Sequence, residues 1–266
     1  MKADKLVIIG GGNLGSAIAA GILDKGLFKP SQLTITRRRT NLLSDFKEKG
    51  VVITKNNLEA SQNADIILLA VKPYQLEAIV QEIKPALKAD TIVVSLATGV
   101  DSEQIHSFCG IQLPIFRAMP NTAVEIGESM TCISSYNAKE EQDEIVLELF
   151  RQMGQALIVP EELMAASTVL AACGIAYAMR FIRAATQGGI EIGFGSRLAL
   201  QIAAQTVKGA ADLLIQKGNH PEDEIDKVTT PRGVTISGLN EMEHQGFSSS
   251  LIKGLLTSFN KIENGK

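Results

Sequence analysis

Lys5-Leu-Val-Ile-Ile-Gly10-Gly-Gly-Asn-Leu-Gly15-Ser-Ala-Ile-Ala-Ala-Gly21 is a short apolar strand that runs through Gly10-x-Gly12-x-x-Gly15 into a helix of small residues. The order of strand, glycine turn and helix decides the fold, because each glycine has its own task in a dinucleotide-binding turn. Gly10 permits the tight turn, Gly12 lets the backbone approach a pyrophosphate, and Gly15 lets the helix pack close on the strand. The helix start then presents free N–H groups and the positive end of its dipole to the phosphates. A tight turn that holds no ligand would use the same glycines, so the reading rests on the flanking strand and helix.

Further strand-like runs follow, giving the set 6–9, 33–36, 51–53, 65–71, 91–95, 115–117, 130–133 and 156–159. Runs such as Ile66-Ile-Leu-Leu-Ala70 are apolar without alternation, which predicts a parallel sheet buried on both faces. Helical patterns lie between the strands at 76–87 and 138–153, the second with Asn137 as candidate N-cap, Glu140 close behind it and Gly154 as a stop. This alternation reads as a Rossmann-type α/β nucleotide-binding domain over residues 1–160.

After Pro160 the β-rich runs cease. Ala-, Leu- and Ile-rich helical segments cover 163–186 and 197–217, with further helical patterns at 236–243 and 251–262, so residues 161–266 read as an all-α domain. Helices with so many alanines and so few charges must bury nearly every face. A domain of this size rarely does so alone, and a second copy of the chain related by a twofold axis is the expected partner.

The composition is that of a soluble globular protein: 266 residues, 45% hydrophobic and 21% charged. A net charge of −3 offers no surface for a polyanion, so neither nucleic acid nor an acidic membrane is expected as a partner. Residues 163–179 carry no charge, but they are rich in Ala, Ser, Thr, Gly and Cys and fall short of a comfortable membrane span, so they are expected to be buried. Cys109, Cys132 and Cys173, like His106, His220 and His244, are scattered without metal-ligand spacing, so no metal site is expected and the cysteines read as small buried hydrophobes. The first strand begins almost at Met1, which leaves no room for a secretory signal; the expected location is cytoplasmic.

The second strand ends Ile35-Thr36-Arg37-Arg38-Arg39-Thr40. An acidic residue at this tip would bind the ribose 2′-hydroxyl of NAD, whereas arginines suit the 2′-phosphate of NADP. A solvated basic helix start is the plainer reading of the same residues. NADPH is the expected cofactor, with NADH as the alternative. Ala70-Val71-Lys72-Pro73 and Ser95-Leu96-Ala97-Thr98-Gly99 follow the fourth and fifth strands, at the carboxyl edge where nucleotide folds bind their ligands.

Val228-Thr-Thr-Pro-Arg-Gly-Val-Thr-Ile-Ser-Gly-Leu-Asn240 is a Thr/Gly loop that feeds a helix. The N–H groups of Gly233, Val234 and Thr235 would lie at the helix start, a geometry that suits a small anion such as a carboxylate. An ordinary helix entry capped by Thr230 or Thr235 explains the loop equally well.

Ile9-Gly-Gly-Gly-Asn-Leu14, Ala70-Val-Lys-Pro73, Arg117-Ala-Met-Pro-Asn-Thr122, Gln205-Thr-Val-Lys-Gly-Ala-Ala211 and Val228-Thr-Thr-Pro-Arg-Gly-Val-Thr235 together resemble the pyrroline-5-carboxylate reductases. The similarity spans essentially the whole chain, and the last stretch resembles the family's signature loop. The resemblance implies a homodimer with intertwined helical domains, in some members assembled into larger rings of dimers. It implies NADPH-dependent reduction of L-1-pyrroline-5-carboxylate to L-proline, the last step of proline synthesis. By the same resemblance Ile9, Gly10, Gly11, Gly12, Asn13 and Leu14 bind the pyrophosphate, and Thr36, Arg37 and Arg38 meet the adenosine phosphate. Asn57 is a further nucleotide contact, and Ala70, Val71, Lys72, Pro73, Leu96, Ala97 and Thr98 lie toward the nicotinamide. Thr230, Gly233, Val234 and Thr235 would hold the substrate carboxylate, with Thr235 also near the ring nitrogen as the catalytic candidate, and Glu161 aligns with a substrate-side glutamate.

The chain departs from the family pattern in three places. Ala172-Cys173-Gly174-Ile175 stands where Gly-Ser-Gly-Pro is usual, Arg232 where the signature has glycine, and Ala123 where proline is common. These departures leave two rivals open: a related NADP-linked reductase of another cyclic imine or small acid, and a catalytically silent NADP(H)-binding dimer.

Overall fold

A computed structural model of the chain describes residues 3–264. Close contacts divide it into two compact units, Met1–Cys173 with Ser258–Lys266, and Gly174–Thr257. The first unit continues past residue 160 because two further pieces, helix α7 (Met164–Ser167) and the π-helical turn Thr168–Cys173, bury Met164, Ala165, Thr168 and Val169.

The first unit is built on an eight-stranded sheet in the order β3-β2-β1-β4-β5-β6-β7-β8. Its strands are β1 (Leu6–Ile9), β2 (Leu33–Thr36), β3 (Val52–Thr54), β4 (Ile66–Leu69), β5 (Ile92–Ser95), β6 (Ile115–Met119), β7 (Ser129–Tyr136) and β8 (Gly154–Ile158). The interleaved helices are α1 (Asn13–Asp24), α2 (Ser44–Glu48), α3 (Asn57–Ser61), α4 (Pro73–Ile83), α5 (Ser102–Cys109) and α6 (Glu140–Arg151). Each predicted run of strand overlaps one of the observed strands. β1 lies between β2 and β4, so the chain reverses its direction of winding there and leaves a crevice at the carboxyl ends of β1 and β4.

Apolar residues on both sides of each central strand produce two cores. Leu6, Ile8, Leu33, Ile35, Leu68, Val94 and Phe116 face the side covered by α1 and α6. Val7, Ile9, Ile67, Leu69, Val93 and Ile115 face the side where Leu76 and Val80 of α4 and Ile105 of α5 pack. An isoleucine buried as completely as Ile8 contributes about 1.5–3 kcal/mol by leaving water.

The sheet is not wholly parallel. β6 and β7 pair antiparallel, with Arg117 opposite Ser134. The link between them contains only a 3-10 turn, Thr122–Ile126, and a parallel return needs a longer crossover. Nor is every strand buried on both faces: β8 is an edge strand on which Leu157 and Ile158 are exposed. The start of α6 also differs from expectation. Lys139 occupies the N-cap position, while Asn137 sits earlier at φ +54°. Gly154 does not stop that helix but opens β8 at φ +139°, where a Cβ would lie 2.1 Å from the Ser129 carbonyl oxygen.

The second unit contains α8 (Gly174–Glu191), α9 (Ser196–Lys217), α10 (Pro221–Asp226) and α11 (Val234–His244), and most of α12 (Phe247–Glu263). α8 and α9 pack on each other so closely that a Cβ on Gly189 would stand 3.1 Å from the Ala199 methyl. Phe181 and Phe247 meet edge to face at 6.1 Å between ring centres.

The expectation that 163–179 is buried holds only for its first residues; Leu170 is 72% exposed and α8 has no buried residue. By length and composition Glu161–Glu191 and Ser196–Lys217 would suffice to cross a membrane. Many of their large apolar side chains, among them Leu170, Leu198, Leu200 and Ile202, are exposed in the single chain. Cys109 and Cys132 are buried as expected, and burial pushes the Cys109 thiol up to about 11 against the opposing charge of Lys84, so it is a poor nucleophile. Cys173 is only half-buried.

Candidate active site

The glycine turn fills the crevice edge as its sequence requires. Gly10 adopts φ +107°, and a Cβ there would lie 2.4 Å from the Ala70 carbonyl oxygen. A Cβ on Gly15 would lie 2.2 Å from the Gly10 carbonyl oxygen, so α1 approaches β1 more closely than any other residue would permit. A Cβ on Gly12 would meet nothing within 4 Å. Its open face is the side from which a pyrophosphate can reach the backbone. Gly12 is the N-cap of α1 and supplies no side chain, so the amides of Asn13, Leu14 and Gly15 are the unpaired first-turn donors. The residues present therefore fit a dinucleotide phosphate.

Several of the predicted residues are tied to one another through backbone. The carbonyl of buried Thr36 accepts from the amides of Gly10 and Gly11, at 3.2 and 2.8 Å. The carbonyl of buried Ile9 accepts from the Ala70 amide at 2.8 Å and ties the glycine turn to the tip of β4. Arg37 is half-buried and donates from Nη1 to the Gly11 carbonyl at 2.7 Å, whereas Arg38 and Arg39 are exposed. Asn57, at the first position of α3, donates from Nδ2 to Glu82 Oε2 at 2.9 Å, so its amide is engaged with α4. Val71 is half-buried, while Lys72 and Pro73 are exposed at the start of α4.

At the end of β5, Leu96 and Ala97 are buried and Thr98 and Gly99 are half-buried. The Leu96 amide donates to the Leu69 carbonyl at 3.1 Å and the Ala97 amide to Ser95 Oγ at 3.2 Å. The carboxyl ends of β1, β4 and β5 thus bring the phosphate turn, residues 70–73 and residues 96–98 to one edge of the sheet.

Glu161 lies in the same unit, with its side chain partly exposed. Its Oε1 accepts from Arg117 Nη1 at 2.6 Å and from the Ser102 amide at 3.2 Å, and its Oε2 accepts from Ser102 Oγ at 3.0 Å and from the Ser134 hydroxyl. Burial pushes the Glu161 carboxyl up, but the bonds from Ser134 and Arg117, the Arg117 charge and the Ser102 amide outweigh it. Together they hold the group below its ordinary value of 4.5. With both oxygens so engaged, the carboxylate ties α5, β6 and β7 together. Sequence reasoning missed Arg117, Ser102 and Ser134. The signal was present for Arg117: one charge inside the apolar strand Ile115–Met119, buried with its sheet, requires a counter-charge.

In the second unit, Gly233 is the N-cap of α11 and its amide donates to the Thr230 carbonyl at 2.8 Å. Neither Thr230 nor Thr235 caps the helix with its side chain, so the capped-entry reading fails and the amides of Val234 and Thr235 belong to an open first turn. A Cβ on Gly233 would stand 2.6 Å from Thr230 Oγ1, which explains glycine at this position. Thr230, Val234 and Thr235 are exposed, Val234 at 91%. Arg232 holds φ +59°, a left-handed conformation that glycine adopts freely.

A doubly wound sheet with a fitted phosphate turn and a basic strand tip defines an NAD(P)H-dependent oxidoreductase. Residues 5–99 match the family model described as NADP oxidoreductase, coenzyme F420-dependent, and residues 161–264 match the model of pyrroline-5-carboxylate reductase dimerisation. Pyrroline-5-carboxylate reductase 2 of Dictyostelium discoideum is 40% identical over 96% of this chain and 91% of its own length. Pyrroline-5-carboxylate reductase 1 of the same organism is 42% identical over 96% of this chain, which spans about half (49%) of that longer relative. The crystal structure of the Plasmodium falciparum pyrroline carboxylate reductase with NADP bound superposes with a TM-score of 0.91 at 25% identity, covering 99% of this chain and 98% of that one. The chain belongs to the pyrroline-5-carboxylate reductase family, enzymes that reduce a C=N bond with NAD(P)H.

Proposed function

We propose that this chain reduces L-1-pyrroline-5-carboxylate to L-proline, with NADPH preferred over NADH. The observation that carries the reading is a fitted phosphate turn and an open, uncapped α11 start in a chain whose family resemblance runs from end to end. Bound NADPH supplies the hydride that reduces the imine carbon. The amides of Asn13, Leu14 and Gly15 hold the pyrophosphate, and Arg38 faces the 2′-phosphate. Ala97 and Thr98, small and largely buried, offer a flat floor to the nicotinamide end beside buried Leu96. The amides of Val234 and Thr235 hold the substrate carboxylate, and the Thr235 hydroxyl orients the ring nitrogen. A threonine hydroxyl is too weak an acid to protonate that nitrogen at neutral pH, so the proton enters with the substrate or from water.

The exposed apolar helices of the dimerisation region support self-association as a homodimer, with rings of dimers as the larger assembly. Three free cysteines support a reducing, cytoplasmic setting. Oxidation of NADPH by the purified protein with L-1-pyrroline-5-carboxylate, followed by chromatographic detection of proline, tests the reaction. Tight NADPH binding without turnover would overturn it. Turnover of a six-membered cyclic imine acid alone would favour the rival reading, which rests on Cys173, Ile175 and the left-handed Arg232.

A further inference from the structure

A cavity of about 500 Å³ lies beside the end of the 96–102 segment in the first unit, with Gly99, Asp101, Ser102 and Glu103 on its wall. The far part of the segment that leaves β5, from Gly99 to Glu103, therefore borders open space, while Leu96, Ala97 and Val100 pack into the cores. Its near end is fixed by the amides of Leu96 and Ala97. Its far end is fixed by the Asp101 cap of α5, in which Asp101 Oδ1 accepts from the Gln104 amide at 2.8 Å, and by the two bonds from Ser102 to Glu161. Glu161 is in turn held by Arg117 from β6 and Ser134 from β7, with the Arg117 side chain only 7% exposed. A local helix cap fixes α5 on itself and Ile105 packs it on the sheet, while the Glu161 bonds tie the first residue of that helix to Arg117 and Ser134 of β6 and β7.

We infer that Glu161 is a positioning residue for the reaction: through Ser102 it holds the 96–101 loop at the sheet edge and stops it from settling into the cavity behind. The assignment rests on the nicotinamide-side role proposed above for residues 96–98. It gives Glu161 a task at the site without contact to substrate. Arg117 supplies the counter-charge that keeps the carboxylate ionised and aimed. Displacement of a cofactor-side loop by about an ångström costs up to roughly a hundredfold in rate, so a tie of this kind is worth retaining in a wall otherwise open to solvent.

Glu161→Gln keeps the side chain's size while removing the charge and one acceptor. In amide hydrogen exchange of the full-length protein without cofactor, exchange in 96–102 is expected to rise about tenfold, with the α1 and β1 peptides unchanged. With cofactor, kcat should fall about tenfold while the Kd for NADPH stays within about twofold, because the phosphate turn is untouched. A uniform rise in exchange across the first unit, or an unchanged 96–102 peptide with unchanged kcat, would overturn the inference. Should Glu161→Gln fail to fold, Ser102→Ala removes only the hydroxyl bond. It is then expected to raise exchange in 96–102 about threefold, and no rise would overturn the inference equally well. Failure of the wild-type protein to turn over the imine would count against the proposed reaction, whereas the exchange result decides the tie by itself.

Discussion

Arg37 Nη1 donates to the carbonyl of Gly11 at 2.7 Å, so the first arginine of the β2 tip is part of the phosphate turn. Beside it Arg38 is exposed and has no side-chain partner among the described residues, which separates two tasks that the sequence presented as one. Arg38→Ala is expected to weaken NADPH binding about tenfold and leave NADH unchanged, since a charge-assisted bond to the 2′-phosphate contributes about 1.5–3 kcal/mol. Arg37→Ala should weaken both cofactors by loosening the turn. Fluorescence titration of the four combinations checks this. An Arg38→Ala protein with an unaltered preference would remove Arg38 from the 2′-phosphate.

The glycines divide in a similar way. Gly12→Ala places its methyl in open space at φ −82°, so the fold should be unaffected while NADPH affinity falls at least tenfold, the methyl standing where the phosphate must approach. Gly15→Ala drives a methyl to 2.2 Å from the Gly10 carbonyl oxygen and should cost about 1–3 kcal/mol of stability, or more. Melting temperature and NADPH titration measured on both variants separate the two effects. Intact cofactor affinity in Gly12→Ala would contradict the assigned phosphate site.

Much of the first unit was legible because buried parallel strands are apolar runs that end in turn residues, as Ile66–Leu69 ends before Val71-Lys-Pro73. The reversal between β6 and β7 was less so, since a strand buried on both faces reads alike in either direction. Only the short link at 120–128 carried the information. The Glu161 tie was not legible for a different reason. Its partners Ser134, Arg117 and Ser102 lie 27, 44 and 59 residues away, beyond any local pattern. In the helical unit the sequence announces faces that need cover, and many of those faces stand exposed on one copy of the chain, so their burial could not be assigned.

Arg232 is one of three non-glycine residues with positive φ among those described, at +59°. The left-handed conformation costs an L residue roughly 1–2 kcal/mol, and glycine escapes that cost at the expense of about 0.4–1 kcal/mol of unfolded-chain entropy. Arg232→Gly is therefore expected to stabilise the protein by about 0.5–1 kcal/mol, which raises Tm by about 2 °C at fixed protein concentration. A lower Tm would show that the guanidinium makes a compensating contact in the assembled protein. The same variant assayed for the imine's KM reports whether the arginine assists the carboxylate: an increase of about tenfold would mark it as a substrate contact.

The Glu161 tie also fixes a pH dependence. Its carboxyl titrates in the folded protein below its ordinary value of 4.5, so the ionised form binds the fold and the proton opposes it. The stability this contributes is present above the unfolded value and is lost as pH falls through the lower, folded one. Because the side chain is 35% exposed, solvent screening keeps the effect to a few degrees of Tm. Wild type should thus melt above Glu161→Gln by a constant margin from pH 7 to about pH 5, and the margin should narrow as pH falls below 4.5 and close once pH lies below the folded value. Below both values protonated Glu161 and glutamine are alike, each leaving the buried Arg117 without a counter-charge. Melting curves of the two proteins across this range measure the margin directly. A margin independent of pH would mean that shape and packing, not the carboxylate charge, hold Ser102 and Arg117 in place.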